Sequence, residues 1–148
     1  STTLAKQLAL YVTIHSPLQM ASDFIENYEK HPEAFEFIKS VPVSWDTTIV
    51  LDGEIEKFLA IARKDRNSEN WYIGGITNEE SRTLQFDLSF LNEGSYVARI
   101  YADGDSADWA SNPLDYKIFE KVVSKGELVT MMLANGGGQA IELEKVKD

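Results

Sequence analysis

Three carboxylates lie within one short segment, Asp103-Gly-Asp-Ser-Ala-Asp108. Because Ca²⁺ is bound by oxygen ligands spaced along acidic loops, Asp103, Asp105 and Asp108 are candidate calcium ligands. An EF-hand loop closes on a glutamate at its twelfth position, whereas the twelfth position counted from Asp103 is Leu114. Asp and Gly are also the residues that an ordinary turn requires. The segment is therefore a candidate metal site, and we favour its interpretation as a turn.

A run of glycines occurs at Asn135-Gly-Gly-Gly138. A phosphate-binding loop needs a following Lys and Ser or Thr and lies between a strand and a helix, and neither condition holds here. We therefore interpret the run as a flexible hairpin connection. The two histidines, His15 and His31, belong to no order of Ser, His and Asp that would indicate nucleophilic catalysis.

Four aromatic residues are candidates for contact with a sugar: Trp45, Trp71, Tyr72 and Trp109. Aromatic faces suit the apolar faces of pyranose rings, so these side chains could form a stacking platform. On that hypothesis the chain is a carbohydrate-binding module that holds α-glucan through exposed aromatics. Aromatic residues also dominate protein cores and interfaces. We predict that these four fill a core or a seam between domains.

The composition bounds the classes of function. The chain has 148 residues, no cysteine, and 24 acidic against 14 basic side chains, which gives a net charge of -10. We expect neither nucleic acid nor a membrane as a partner, because both need clustered Lys and Arg. The longest apolar stretch, Leu8–Ile14, is too short to span a bilayer. Since the chain begins with Ser1, we expect it to be processed, trimmed or cut from a longer protein.

The first helix is predicted over Thr2–Ile14, with Thr2 or Thr3 as its N-cap. Its apolar residues cover nearly all faces: Leu4, Ala5, Leu8, Ala9, Leu10, Tyr11 and Val12. A helix that is apolar all round needs cover on several sides. We therefore expect this helix to have packed against material absent from the chain, or to promote self-association when that material is missing.

A second helix is predicted from Pro32, which suits a first-turn position, and Glu33 complements the dipole there. It should end near Ser40, because Pro42 disfavours helical geometry in the residue before it. Beyond Pro42 the apolar period changes from helical to two, as in Leu84, Phe86, Leu88 and Phe90, and the chain becomes β-structured.

Eight strands are predicted in this second part, separated by turn residues at nearly regular spacing. They are Thr48 to Leu51, Phe58 to Arg63, Trp71 to Ile76, Leu84 to Phe90, Tyr96 to Ala102, Tyr116 to Val123, Leu128 to Leu133 and Ala140 to Glu144. Such a pattern is typical of an antiparallel β-sandwich or barrel. The fold class is mainly β, with a helical lead at residues 1–42 and a sandwich at residues 43–148.

Many segments of the chain, in order, resemble glycoside hydrolase family 97. The clearest are Leu4 to Tyr11, His15 to Asp23, Glu26 to Tyr28, Phe35 to Lys39, Val43 to Asp46, Ile61 to Lys64, Trp71 to Thr77, Tyr101 to Gly104, Ala107 to Trp109, Asn112-Pro113 and Asn135 to Gly138. The resemblance implies a parent with an N-terminal sandwich, a catalytic (β/α)8 barrel and a C-terminal β domain. Residues 1–42 would then be the helical tail of the barrel, with the rest of the barrel as their partner.

The resemblance also implies the chemistry of the parent. This family includes inverting α-glucosidases and retaining α-galactosidases that act on oligosaccharides with calcium near the sugar. Glycosidases need two opposed carboxyl groups. In such parents those groups and the calcium ligands lie upstream of the matched segment, so we assign no catalytic, cofactor or metal residue to this chain by resemblance. Export to the periplasm or cell exterior is implied as well.

The barrel tail offers a few candidates for contact with substrate. The resemblance implies a last barrel strand around Ser16 to Met20. Asp23, Glu26 and Glu29 follow it, at the end where such barrels hold their active sites, although a solvated acidic loop is the favoured interpretation. Gln19 and His15 are candidate sugar-proximal residues in the parent, although a packed position or a structural hydrogen bond is the favoured interpretation. From the sequence we expect an accessory part of an α-glucosidase-type hydrolase that is inactive alone.

Overall fold

The computed structural model describes residues 2–14 and 30–147 of the chain. This described part contains two helices, α1 (Leu4–Thr13) and α2 (Pro32–Ser40). Its eight strands are β1 (Trp45–Glu54), β2 (Phe58–Asp65), β3 (Trp71–Thr77), β4 (Arg82–Asp87), β5 (Ser95–Asp103), β6 (Tyr116–Ser124), β7 (Leu128–Leu133) and β8 (Gly138–Lys145). Both predicted helices and all eight predicted strands are confirmed at their expected places.

The strands form two antiparallel sheets of unequal size. The large sheet has the order β1-β2-β3-β8-β5-β6, and the small sheet consists of β4 and β7. The helices lie on the outer face of the large sheet and the small sheet lies on its inner face. The prediction of a mainly β, antiparallel sandwich with a helical lead is therefore confirmed.

One apolar core fills the space between the two sheets. Period-two alternation places its side chains, as in β4, where Leu84 and Phe86 are buried and Gln85 is exposed. The predicted strand continuing to Phe90 is wrong in its last residues. It ends at Asp87, whose Oδ1 accepts the amide of Ser89 at 3.0 Å and starts a turn. Phe90 instead packs its ring 4.6 Å from that of Trp71.

A second core lies between the helices and the outer face of the large sheet. The helical residues Leu4, Leu8, Ala9, Tyr11 and Val12 are at most 1% exposed. They pack against Phe37 of α2 and against three side chains of the large sheet, those of Tyr72, Tyr101 and Ala140. Burying each large side chain contributes about 1.5–3 kcal/mol. The helical lead therefore shares a core with the strands.

The expectation that α1 needs cover from absent material is wrong. Its residues find their cover in this chain because the outer face of the large sheet is apolar as well. Ile14, at the C-cap of α1, is 45% exposed, and self-association through this helix stays a prediction. Neither described helix has the length and apolarity to cross a membrane.

Glycines let the helix approach the sheet closely. A Cβ at Gly74 in β3 would lie 2.7 Å from the carbonyl oxygen of Ala9, and one at Gly138 in β8 would lie 2.6 Å from the Cα of Lys6. Both neighbours are backbone atoms, which cannot move aside without shifting the helix. The two glycines therefore set the distance between α1 and the large sheet.

We expect Gly74→Ala to displace α1 and to lower the free energy of unfolding by about 1–3 kcal/mol, the usual cost of overpacking. Gly53→Ala in β1 is the matched control, because its Cβ would meet a flexible side chain, that of Leu59, at 3.2 Å. Denaturant unfolding of both variants measures the difference. Equal stability of the two variants would contradict the close contact.

Candidate helix-docking site

Three loops meet at the N-terminal end of α1. One follows β5 and spans residues 103–115, one joins β7 to β8 at residues 134–137, and one follows β3 at residues 78–81. Backbone hydrogen bonds connect them, including Gly136 N to Asn78 O at 2.8 Å and Trp109 N to Asn135 O at 3.1 Å. We call these loops, with Thr3 and Lys6 of the helical lead, the helix-docking site.

The helix begins on these loops. Thr3 is its N-cap, with Oγ1 accepting the amide of Lys6 at 3.1 Å. The amide of Thr3 donates to Gly136 O at 3.1 Å, and that of Leu4 donates to Pro113 O at 2.8 Å. The first amides of a helix have no partner within it. Here the loops of the β domain supply acceptors for them, so the start of α1 is fixed by the β domain.

Lys6 extends this attachment. Its Nζ donates to the carbonyl of Thr77, at the end of β3, at 2.7 Å. Burial lowers the pKa of Lys6, while Glu79 and Asp103 act in the opposite direction by stabilising the ammonium form. Thr3 and Lys6 are not recognisable from the sequence as partners of the loops, because no local signal connects them to residues more than seventy positions away.

Asp103 is the centre of the site. It is 5% exposed, and its Oδ2 accepts the amides of Ala134 at 2.8 Å and of Gly138 at 3.0 Å. Within the part of the chain that the structure describes, Oδ1 is buried without a hydrogen-bond partner. Burial raises the pKa of Asp103, and the Thr3 side chain with the two amides only partly offsets that rise. One carboxylate thus holds the entry to β8 against the end of β5.

The glycine run makes room for these contacts. Gly136 has a φ of 63° and lies under the Trp109 side chain, so an L side chain there would be strained and would clash. Gly137 packs against the Asp103 carboxylate itself. The predicted loop is confirmed, but the hairpin is wrong, because β7 belongs to the small sheet and β8 to the large one. The run carries the chain from one sheet to the other.

The other two calcium candidates have separate partners. Asp105 forms an exposed ion pair with Lys117 at 3.1 Å. Asp108 Oδ1 accepts the amides of Ala110 and Ser111, and these bonds lower the pKa of Asp108. Among residues 2–14 and 30–147 no three His, Asp, Glu or Cys side chains are grouped to hold a metal ion. Asp108 thus organises the turn that follows it, whereas Asp105 is engaged with Lys117 and Asp103 with the amides of Ala134 and Gly138.

The four aromatic candidates are not gathered on one exposed surface. Trp71 is buried between the sheets, and Tyr72 is buried under the helices. Trp45 is half-buried beside Tyr72 with ring centroids 5.6 Å apart, and Trp109 is half-buried on the glycine run. Burial raises the pKa of Tyr72, and the nearby Glu142 raises it further. The prediction of core and seam positions is confirmed for Trp71 and Tyr72.

Several candidates fall outside the described residues: His15, Gln19, Asp23, Glu26 and Glu29. His31 is described, and its ring meets that of Tyr116 edge-on with centroids 5.3 Å apart. That packing gives His31 a structural contact at the start of α2.

We expect Asp103→Ala to lower the free energy of unfolding by about 2–6 kcal/mol, because the amides of Ala134 and Gly138 lose their acceptor and each loss costs about 1–3 kcal/mol. Asp103→Asn is the matched control, since its amide oxygen can accept the same two hydrogen bonds. Denaturant unfolding should give a much smaller loss for the Asn variant. A small loss for the Ala variant would show that Asp103 does not hold the loops.

The stability of the Asn variant relative to the original chain should depend on pH. Because the folded pKa of Asp103 lies above its ordinary value of 3.8, the folded chain keeps a proton that the unfolded chain has lost. The free energy of unfolding contributed by Asp103 therefore falls as pH rises from 3.8 through the folded pKa. Over this interval the free energy of unfolding of Asp103→Asn should rise relative to that of the original chain, as measured by denaturant unfolding. A relative loss would indicate a lowered pKa.

The chain is similar to known proteins along nearly its full length. The family model described as "Glycosyl-hydrolase 97 C-terminal, oligomerisation" matches residues 44–144. A retaining alpha-galactosidase of Bacteroides thetaiotaomicron is 39% identical over 142 residues, which cover 96% of this chain and 21% of that protein. A probable retaining alpha-galactosidase of Streptomyces bingchenggensis is 28% identical, over 93% of this chain and 20% of its own length. The chain thus spans about a fifth of these relatives.

Solved structures agree with this relationship. A family 97 enzyme from Pseudoalteromonas sp. strain K8, in complex with panose, superposes with a TM-score of 0.88 and 37% identity, covering 99% of this chain and 23% of that one. A beta-arabinopyranosidase, at 22% identity and a TM-score of 0.61, shares the fold over 78% of this chain. The chain belongs to glycoside hydrolase family 97, as a C-terminal part of such a protein.

Proposed function

We propose that this chain is the accessory C-terminal part of an α-glycoside hydrolase of the α-glucosidase type, and that it braces the end of the catalytic barrel and mediates self-association. The observation that carries the proposal is the attachment of α1 to the β domain through the amides of Thr3 and Leu4 and through a shared apolar core. A helix held in this way is a fixed support for whatever precedes it in a longer protein. The family description adds oligomerisation as a role.

An accessory role fits the carboxylates of the chain. Glycoside hydrolysis needs an acid with a raised pKa facing a second carboxylate across the substrate. Asp103 is the buried carboxylate of the described residues, and burial raises its pKa, but its Oδ2 accepts two backbone amides and its Oδ1 is sealed from solvent. Its neighbour Asp115 accepts the amide of Ser106 at 2.9 Å. These carboxylates are committed to loop structure.

The substrate class rests on the relatives. One relative, which is 37% identical, has been solved in complex with panose, an α-glucoside. The Bacteroides relative, which is 39% identical, is a retaining alpha-galactosidase. We retain the α-glucosidase type, with oligosaccharides as substrates, on the basis of the relative in complex with panose. The remainder of the proposed parent would supply the rest of the barrel, the catalytic carboxylates and the calcium ligands, and would work in the periplasm or outside the cell.

We expect the 148-residue chain to hydrolyse neither an aryl α-glucoside nor an aryl α-galactoside, because the buried carboxylate of its described residues, Asp103, is committed to the amides of Ala134 and Gly138. We expect the intact longer protein to prefer the glucoside by its kcat/KM, and to lose activity on treatment with EDTA. Both proteins are assayed by release of the aryl group. Hydrolysis by the chain alone would overturn the accessory role, and a preference for the galactoside would overturn the glucosidase type.

A further inference from the structure

The unequal sheets leave part of the large sheet uncovered. Phe119 in β6 lies opposite Ile100 in the register with β5, and Ile100 is buried in the core between the sheets. Phe119 therefore points to the same inner face, yet it is 42% exposed. The small sheet ends before it reaches β6, since β7 pairs with β4 alone. A cleft of about 430 Å³ lies between β6 and β7, with Phe119 in its lining.

The outer face of β7 adds exposed apolar side chains beside this cleft. Val129, Met131 and Leu133 are buried in the core, so alternation sends Leu128 and Met132 outward. These two side chains are 63% and 72% exposed, and Met132 also lines the cleft. Methionine and aromatic residues are enriched at protein interfaces. We call Phe119, Leu128 and Met132, with Lys117 and Lys121, the β6–β7 surface.

The local charge differs from that of the whole chain. The net charge of -10 opposes association of two copies over most of the molecule. The β6–β7 surface instead contributes two lysines, Lys117 and Lys121, of which Lys117 already pairs with Asp105 at 3.1 Å. Lys121 has no ion-pair partner within 4 Å among the described residues. Lys121 is therefore available to pair with an acidic side chain of another copy of the chain.

We propose that the β6–β7 surface is the face through which a second copy of this chain associates. This inference rests on the self-association included in the proposed function and names its location. A two-fold interface uses the same surface on both copies. In such a pair Met132 of each copy enters the cleft of the other, and Lys121 of each copy faces an acidic side chain of its neighbour.

A second exposed apolar region, around β1, fits this role less well. Its large exposed residues are scattered between the linker, the strand and the hairpin tip, at Val43, Val50 and Ile55. β1 carries two register shifts, at Trp45/Thr47 and at Val50/Asp52. Such bulges disrupt an edge for pairing. At its hairpin tip Glu56 lies two residues from Glu54, which already pairs with Lys57 at 2.7 Å, so this region offers less positive charge to an acidic second copy.

The test is sedimentation equilibrium of the whole chain over a range of concentrations. We expect a reversible dimer whose dissociation constant rises about tenfold or more in the double variant Leu128→Lys, Met132→Lys, because anchors at the centre of an interface carry most of its binding energy. Lysine lowers the net negative charge, so weaker association cannot result from greater overall repulsion. The lysine introduced at position 128 would lie opposite Asp87, a favourable cross-strand pair that keeps the fold stable.

Val50→Lys is the matched control, since Val50 is 64% exposed in a strand outside the β6–β7 surface. It should dimerise like the original chain, and thermal unfolding should show all variants folded. A dimer that is unchanged in the double variant, or equally weakened in the control, would overturn the location and leave self-association standing. A monomer at every concentration, as expected where the rest of a longer protein covers the surface, would overturn both.

Discussion

The close contact between α1 and the outer face of the large sheet is the constraint on which the rest of the structure depends. Gly74 and Gly138 allow the helix backbone to approach strands β3 and β8 within distances that any Cβ would block. That approach buries a helix that is apolar on nearly every side. A helix of this kind exposed to water would be an aggregation hazard, and the sheet removes the hazard within one chain.

The docking site completes this contact with polar groups. Apolar burial is not directional, so it cannot alone fix where the helix begins. The amides at the start of α1, the Lys6 ammonium group and the Asp103 carboxylate form directional hydrogen bonds. These bonds fix where the helix begins on the β domain. The segments at Asp103-Gly104, Ala107 to Trp109, Asn112-Pro113 and Asn135 to Gly138, which carry much of the family resemblance, are the loops that make these contacts. Their role in the described structure is to join the helical lead to the sandwich.

The elements could be predicted from the sequence, whereas their partners could not. Period-two alternation and turn residues determine strands such as β4, and Pro32 with Pro42 brackets α2, because these signals are local. The division into six and two strands depends on pairing between distant segments, so the glycine run was predicted as a hairpin and proved to be a crossover. The apolar character of α1 predicted burial correctly, but not that the same chain supplies the cover. Likewise, the acidic pattern at Asp103 could not reveal that its acceptor bonds go to amides at 134 and 138.

The central claim is that α1 is an integral part of the β domain, and amide hydrogen exchange of the 148-residue chain measures it most directly. If the claim holds, the α1 amides that bond within the helix should exchange only through global unfolding, with the same opening free energy as the central strands β3 and β8. Rapid exchange of those amides while β3 and β8 stay protected would show that the helix undocks independently, and would contradict the account.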